Sequence, residues 1–135
     1  MHAKRMKIID PPDWKRPKGY SNGILCPPGG SLLFISGQVG WDKNEQMQEG
    51  FLLQYRQALG NVMRIVMEAG GAATDITRLT FYVVDKREYF THIIEVGKIY
   101  REIMGKHFPA MAVLEVKSLM EESALIEIEG TAVIY

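Results

Sequence analysis

Two carboxylates near the end of the chain are the first residues whose type and spacing could do chemistry. Glu127 and Glu129 lie two residues apart in a run that is typical of a β-strand, so their side chains share one face of the sheet. Neighbouring carboxylates can raise each other's pKa, and one of them can then act as a general acid or base. The alternative is that one carboxylate is only a structural partner within an assembly of subunits.

Polar residues also interrupt a second strand-like segment, residues 34–41. Ser36, Gly37 and Gln38 stand where a packed sheet would carry apolar side chains, and buried polar groups need hydrogen-bond partners or a ligand. We therefore predict that Ser36 donates a hydrogen bond within a binding site. It is not expected to be a nucleophile, because no His and Asp stand at a spacing that indicates a catalytic triad.

The composition limits the classes of function. The 135 residues carry 16 Lys and Arg against 16 Asp and Glu, and this zero net charge argues against a nucleic-acid partner or a nuclease. No apolar run approaches the length of a membrane span, so no membrane partner is expected. His2, His92, His107 and Cys26 do not cluster in the sequence, which predicts neither a metal site nor a cofactor. A single cysteine cannot form an intrachain disulfide and is typical of a cytoplasmic protein.

The rest of the chain predicts the elements that position the candidate residues. A chain of this length is expected to form one domain, residues 1–135. Apolar residues recur at steps of three and four over residues 48–69, and Gly70-Gly71 ends this first helix. A second helix is expected to begin after the N-cap residue Asp85 and to end near residue 104. Strands are predicted at residues 7–9, 20–26, 31–36, 76–84, 110–116 and 124–134.

The order of these elements predicts an α+β fold. Residues 20–26 and 31–36 are separated by Pro27-Pro28-Gly29-Gly30, which indicates a β-hairpin. Each helix is followed by a strand, so the simplest arrangement is a single mixed six-stranded sheet with two helices packed on one face.

The alternation of the last strand predicts which face is which. Ile126 and Ile128 are expected to face the helices, which leaves Glu127 and Glu129 on the helix-free face. Leu125 and Val133 of the same strand, with Met111 and Val113 of the preceding strand, are expected to share that face with the carboxylates. A face of this mixture is too apolar to be simply hydrated, so it is predicted to be an interface between subunits.

Five short pieces of the sequence, taken together, are similar to a known family. They are Gly19-Tyr20-Ser21, Ser36-Gly37-Gln38-Val39, Gln57-Ala58-Leu59-Gly60-Asn61, Phe108-Pro109-Ala110 and Ile126-Glu127-Ile128-Glu129. In this order and spacing the chain resembles, along nearly its whole length, the reactive-intermediate deaminase family, also called RidA or YjgF. The resemblance implies a chorismate-mutase-like fold and a homotrimer. In that trimer the helix-free sheet faces form a central barrel, and three clefts lie between subunits.

The same resemblance implies a site and a reaction. The clefts would be lined by Tyr20, Ser36, Gly37, residue 111 of a neighbouring strand and Glu127, with the glutamate helping to position a water. Archetypal members hydrolyse reactive enamines and imines, such as 2-aminoacrylate, to a 2-keto acid and ammonia. In that reaction an Arg at the position of residue 111 holds the carboxylate of the substrate.

Two positions depart from the family pattern and make the expected cleft more apolar. Met111 replaces the Arg, and Ile94 stands in the second helix where active members often have Asn. A thioether cannot replace the charge-assisted hydrogen bonds that a guanidinium makes to a carboxylate. The expected catalytic residue is Glu127, and the expected substrate-binding residues are Tyr20, Ser36, Gly37, Ile94 and Met111.

Three functions are compatible with these departures. In the first, the cleft processes an imine or enamine that lacks a carboxylate. In the second, another cation holds the carboxylate, with Arg78, Arg101 and Lys106 as candidates. In the third, the protein is a trimer that binds a small, less polar molecule without turning it over. The leading prediction is a deaminase-like hydrolase for a small imine or enamine, and the alternative is a non-catalytic small-molecule-binding trimer.

Overall fold

The computed structural model describes residues 6–135, so His2 lies outside the described part of the chain. Its strands are β1 (Lys7–Ile9), β2 (Gly23–Leu25), β3 (Ser31–Val39), β4 (Ile76–Val83), β5 (Ala110–Glu115) and β6 (Ile126–Ile134). Its helices are α1 (Phe51–Glu68), α2 (Lys86–Thr91) and α3 (Ile93–Met104), and one 3₁₀ turn covers Ala73–Asp75. The α+β class predicted from the sequence is therefore confirmed.

The strands form two sheets, so the prediction of one six-stranded sheet is wrong. The main sheet has four strands in the order β3-β6-β4-β5, in which β4 and β5 are parallel and the other neighbours are antiparallel. β1 and β2 form a separate two-stranded sheet. The predicted hairpin between β2 and β3 is not formed. Pro27 and Pro28 follow β2 and have no backbone N–H to continue a ladder, and β3 pairs instead with β6 from Ser31 onwards.

The second predicted helix is two helices, because it breaks at His92. Asp85 is the N-cap as predicted, and its carboxylate accepts a hydrogen bond from the backbone N–H of Arg87 at 2.9 Å. His92 has φ −105° and ψ 22°, which ends α2 and begins α3. The residues around the break, Thr91 to Ile94, are β-branched or otherwise weak helix formers.

The helices pack on one face of the main sheet, and the core lies between these layers. Tyr55 and Leu59 of α1 and Val96 of α3 share one buried cluster with Ile126 and Ile128 of β6. The predicted alternation of β6 is therefore confirmed. In the described part of the chain no helix is long and apolar enough to cross a membrane.

The helix-free face carries exposed apolar side chains, but not all of the predicted ones. Phe34 is 75% exposed, and Leu32 and Leu114 are also exposed there. Met111 pairs in register with Leu79 of the buried core, so it faces the helices and not the helix-free side. The prediction that Met111 belongs to the helix-free face is therefore wrong, because the parallel register of β5 with β4 sets its direction.

Candidate functional site

A β-bulge in β3 shapes the region around the polar segment found in the sequence. The pairing of β3 with β6 shifts by one residue between Ile35 and Gln38. Ser36 and Gly37 therefore stand opposite a single residue of β6, Glu129. A bulge bends its strand and redirects side chains, and such features are enriched next to functional sites. The Ser36 carbonyl is not left free here, since it accepts a hydrogen bond from Gln38 Nε2 at 3.0 Å.

Glu127 packs its carboxyl group directly over this bulge. Val39 and Tyr82 flank Glu127 in the neighbouring strands, which fixes the position of its backbone. A Cβ atom added at Gly37 would lie only 2.8 Å from Cδ of Glu127, closer than real Cβ atoms approach other atoms. Only glycine therefore leaves room at this position for the carboxyl group where it now lies.

The Glu127 carboxylate borders an open cavity of about 960 Å³. We call it the Glu127 cavity, and its walls include Gly37, Trp41, Gln57, Asn61, Arg64 and Glu127. Its lining mixes charged and amide side chains with apolar ones such as Ile65 and Met120, and Lys43 is a further cation. This size lies at the upper end of the range for small-molecule sites.

One wall of the Glu127 cavity is held by a chain of side-chain amides. Gln57 Nε2 donates to Asn61 Oδ1 at 2.8 Å, and Asn61 Nδ2 donates to the backbone carbonyl of Trp41 at 2.8 Å. These bonds tie α1 to the segment that follows β3. The sequence analysis used Gln57 and Asn61 only as family markers and missed this positioning role. Their spacing of four residues on one helix face was the signal that could have shown it.

Glu129 has different contacts from Glu127. Its Oε1 accepts a hydrogen bond from the Tyr82 hydroxyl at 2.6 Å, and this bond raises the pKa of Tyr82. Glu129 lines a different cavity, on the helix-free face beside Arg78 and Thr80. The two carboxylates therefore border different cavities, and within the chain Glu129 is already bonded to Tyr82.

Met111 lies in a second cavity, of about 380 Å³, between α3 and the sheet. We call it the aromatic cavity, and its walls include Tyr55, Phe81, Tyr89, Tyr100, Phe108 and Met111. Lys18 and Arg101 also border it. Burial raises the pKa of the Tyr55, Tyr89 and Tyr100 phenols, so these hydroxyls remain protonated donors at neutral pH.

The other predicted site residues are dispersed over a single chain. Tyr20 is exposed and borders a third cavity of about 530 Å³ near the opening segment, together with Lys106. Ile94 is 69% exposed on α3, whereas its neighbour Ile93 lines the aromatic cavity. Ser36 is exposed beside Gly37. Within one chain, Gly37 and Glu127 therefore lie together at the Glu127 cavity. Met111 and Tyr20 border two other cavities of the same chain.

Ser21 matches a short catalytic pattern that the structure explains otherwise. Residues 19–23 read Gly-x-Ser-x-Gly, the pattern of a nucleophile elbow, which requires a strand, a sharp turn and a helix. Here Ser21 is buried, and its hydroxyl donates to the Phe108 carbonyl at 2.5 Å. Its backbone N–H donates to the Pro109 carbonyl at 3.0 Å. Ser21 therefore fastens the loop before β2 to the start of β5.

The candidate metal ligands give no centre in the described residues. Among residues 6–135 no group of three His, Cys, Asp or Glu side chains is arranged to hold a metal ion. The His107 ring forms a hydrogen bond with the backbone instead, since its Nε2 lies 2.7 Å from the Ile76 carbonyl oxygen.

The fold and the site define a small α+β domain with a carboxylate set over a strand bulge, and comparison with known proteins supplies its family. The family model described as "Endoribonuclease L-PSP" matches residues 14–134. The chain belongs to this family, which is also called RidA or YjgF.

Individual relatives agree with this assignment. A RutC family protein of Pyrococcus horikoshii is 33% identical over 115 residues, covering 84% of this chain and 85% of the relative. The 2-iminobutanoate/2-iminopropanoate deaminase of Homo sapiens is 32% identical over 116 residues, covering 84% of this chain and 79% of the relative. A solved structure of a Rid family protein of unknown function from Yersinia pestis superposes with a TM-score of 0.84 at 28% identity. That comparison covers 96% of this chain and 99% of the other.

Proposed function

We propose that this protein hydrolyses a small reactive imine or enamine in a cleft between the subunits of a homotrimer. The observation that carries the proposal is the Glu127 carboxylate, which packs over the bulge residue Gly37 at an open cavity. A carboxylate next to a water-filled space can position and deprotonate a water. The human and Salmonella typhimurium relatives named 2-iminobutanoate/2-iminopropanoate deaminase support the reaction class.

The proposed reaction adds water across a carbon–nitrogen double bond. An enamine first takes a proton from solvent on its β-carbon and becomes the iminium, which is the protonated imine. Glu127 accepts a proton from the water as the water oxygen attacks the iminium carbon and the C=N π electrons move to nitrogen, which gives a neutral carbinolamine. Glu127 then returns this proton to the amine nitrogen. Ammonia leaves as the carbon–nitrogen bond breaks and the hydroxyl proton passes to solvent, which leaves the carbonyl product. The chain needs to hold the substrate and one water, which is a modest demand.

The dispersed site residues support a cleft that more than one subunit completes. Gly37 and Glu127 border one cavity of a chain, whereas Met111 and Tyr20 border two others. A cleft between subunits can join these surfaces. The exposed Phe34 and the other apolar side chains of the helix-free face supply the kind of surface that association buries.

The substrate carboxylate, if the substrate has one, needs a cation other than residue 111. Of the three candidates, Arg101 borders the same cavity as Met111, whereas Arg78 and Lys106 border other cavities. Arg101 forms no ion pair with a described residue, so its charge is available. We therefore favour Arg101 as the group that replaces the missing guanidinium.

The alternative is a trimer that binds a small molecule without turning it over. Met111 favours this function, because a thioether among aromatic side chains stabilises an apolar ligand and gives no hold on a carboxylate. In that case Glu127 would have only a structural role at the bulge.

Release of 2-keto acid separates the two functions. The assay uses 2-aminoacrylate and bulkier imino acids generated enzymatically in situ, with wild type and Met111→Arg measured side by side. We expect wild type to accelerate hydrolysis. We expect Met111→Arg to hydrolyse 2-aminoacrylate in preference to the bulkier imino acids. Activity in Met111→Arg alone would show an intact scaffold with a different ligand. Inactivity of both proteins would favour the binding trimer, and a monomer by light scattering would contradict the shared cleft.

A further inference from the structure

The aromatic cavity contains a buried hydroxyl that has no partner. Tyr55 is only 1% exposed, yet among residues 6–135 its hydroxyl makes no hydrogen bond. In the described residues, every side-chain oxygen or nitrogen that is fully inaccessible to solvent has a hydrogen-bond partner. The small accessible part of Tyr55 must therefore include its hydroxyl oxygen, which opens onto the cavity that Tyr55 lines. A buried hydroxyl left unpaired is costly, so such a group indicates a ligand atom.

The walls of this cavity fit an aromatic or similarly bulky apolar group. Phe81 and Val96 are buried core residues, and Met111 adds a flexible thioether. Gly97, in the middle of α3, also borders the cavity, and a Cβ built there meets no heavy atom within 4 Å. A glycine at a mid-helix position disfavours the helix, and here its missing side chain widens the cavity.

The outer part of the cavity is positively charged. Lys18 and Arg101 are exposed residues that border it, and neither forms an ion pair with a described residue. The cations therefore lie towards solvent, and the Tyr55 hydroxyl lies at the buried end. A ligand that satisfies both ends carries an acid group at one end and a hydrogen-bonding atom at the other.

We propose that the aromatic cavity binds a small acid with a phenol-like body, whose carboxylate pairs with Lys18 and Arg101 and whose distal hydroxyl bonds to Tyr55. The volume of about 380 Å³ lies within the range for small-molecule sites. As a statement about the substrate, this inference rests on the proposed function. It then assigns imino acids with aromatic side chains as the substrate class, in preference to the small aliphatic ones.

Calorimetric titration of the whole protein with unreactive acids tests the site without any turnover. The probes are 3-(4-hydroxyphenyl)propionate, 3-phenylpropionate and propionate. We expect wild type to bind the hydroxyphenyl acid about five-fold more tightly than the phenyl acid, the effect of one added hydrogen bond. Propionate should bind at least ten-fold more weakly than either, because it leaves the aromatic walls unfilled.

Two pairs of variants decide whether the binding occurs in the aromatic cavity. Tyr55→Phe should remove the preference for the hydroxyphenyl acid, whereas Tyr82→Phe, on the other face of the sheet, should retain it. Gly97→Ala should weaken both aromatic acids at least five-fold, whereas Lys98→Ala, the exposed neighbour on α3, should not. Loss of the preference in both Tyr variants, or in neither, would overturn the proposal.

The same titration separates this inference from the proposed function. Binding with the expected variant pattern, in a protein that hydrolyses no imine, would support the cavity and contradict the hydrolase. Hydrolysis of 2-aminoacrylate by a protein that binds none of the three acids would overturn the cavity proposal and leave the hydrolase intact. Unfolding in urea checks Tyr55→Phe, which should be as stable as wild type because the lost hydroxyl has no partner within residues 6–135.

Discussion

The Glu127 cavity and the aromatic cavity lie on the same scaffold and differ in their size and in the polar groups that border them. The first is large, about 960 Å³, and charged groups and amides line it. The second is about 380 Å³, and three tyrosines line it. Each is bordered by a mid-helix glycine, Gly60 for the first and Gly97 for the second, where an added Cβ would meet nothing within 4 Å.

The polar groups show what each cavity can do. Around Glu127 the amides of Gln57 and Asn61 are engaged with each other and with the backbone, which holds this wall in place, and the carboxylate borders an open space. In the aromatic cavity the Tyr55 hydroxyl is left without a hydrogen-bond partner among the described residues. The first arrangement suits the activation of water, and the second suits the selection of a ligand by shape.

The largest effect is expected from Glu127→Gln. If Glu127 positions and deprotonates water, this change should reduce kcat/KM for imine hydrolysis by about 100-fold or more, because general-base contributions are typically that large. Glu129→Gln is the matched control on the same strand, and its amide oxygen can still accept from Tyr82. Equal losses in the two variants, measured by keto acid release, would contradict the different roles assigned to the two carboxylates.

Gly37→Ala should have the next largest effect. The new methyl would come within about 2.8 Å of the Glu127 carboxyl carbon, and the flexible side chain would have to move away. We expect about a ten-fold loss of activity with an unchanged unfolding midpoint. Gly23→Ala, where the methyl would meet Ile9 at an ordinary 3.5 Å, is the control. Full activity in Gly37→Ala would show that the exact place of the carboxylate is unimportant.

Loss of wall hydrogen bonds at either cavity should reduce stability moderately. Asn61→Ala removes the bond from Gln57 and the bonds to the Val39 and Trp41 carbonyls, and Tyr100→Phe removes the 2.6 Å bond to the His107 carbonyl beside the aromatic cavity. Each change should lower the free energy of unfolding by about 1 kcal/mol in a urea titration. Asn61→Ala should also reduce activity, since it loosens the wall near Glu127. An unchanged free energy in both variants would mean that neither wall is held by these bonds.

The smallest effect is expected from the two helix glycines, and it should be a gain. Gly60→Ala and Gly97→Ala each place a methyl in open space and remove a poor helix former, which should raise the free energy of unfolding by up to about 1 kcal/mol. Thermal or urea unfolding measures it directly. A loss of stability in either variant would show that the cavity beside that glycine is already filled in solution.

Local patterns predicted the main features of the fold and failed where pairing is long-range. The apolar spacing of α1 and the alternation of β6 both follow from residues close together in the sequence, and both were confirmed. The hairpin between β2 and β3 was wrong, because β3 pairs with β6, almost a hundred residues away. The break at His92 was missed, since a helical period continues across it and only the backbone angles show the interruption.

The candidate site was predictable in its residue types and not in its geometry. Gly37 and Glu127 were both named from the sequence, and the structure places them in contact. Their roles, with those of Tyr20, Ser36, Ile94 and Met111, stay predictions. No sequence pattern indicated the unpaired hydroxyl of Tyr55, because Tyr55 reads as an ordinary member of the apolar stripe of α1.

The sequence by itself determined the balanced charge of this chain, the amphipathic patterns of its main elements, and a methionine at position 111, where the family resemblance implies arginine. The tertiary structure alone decided that a bulge sets Gly37 beneath Glu127, that Glu129 bonds to Tyr82, and that Met111 faces an aromatic cavity. The physical reason is that periodicity constrains only the face on which a residue lies. Strand register, bulges and the pairing of strands that are distant in the sequence determine which side chains come into contact.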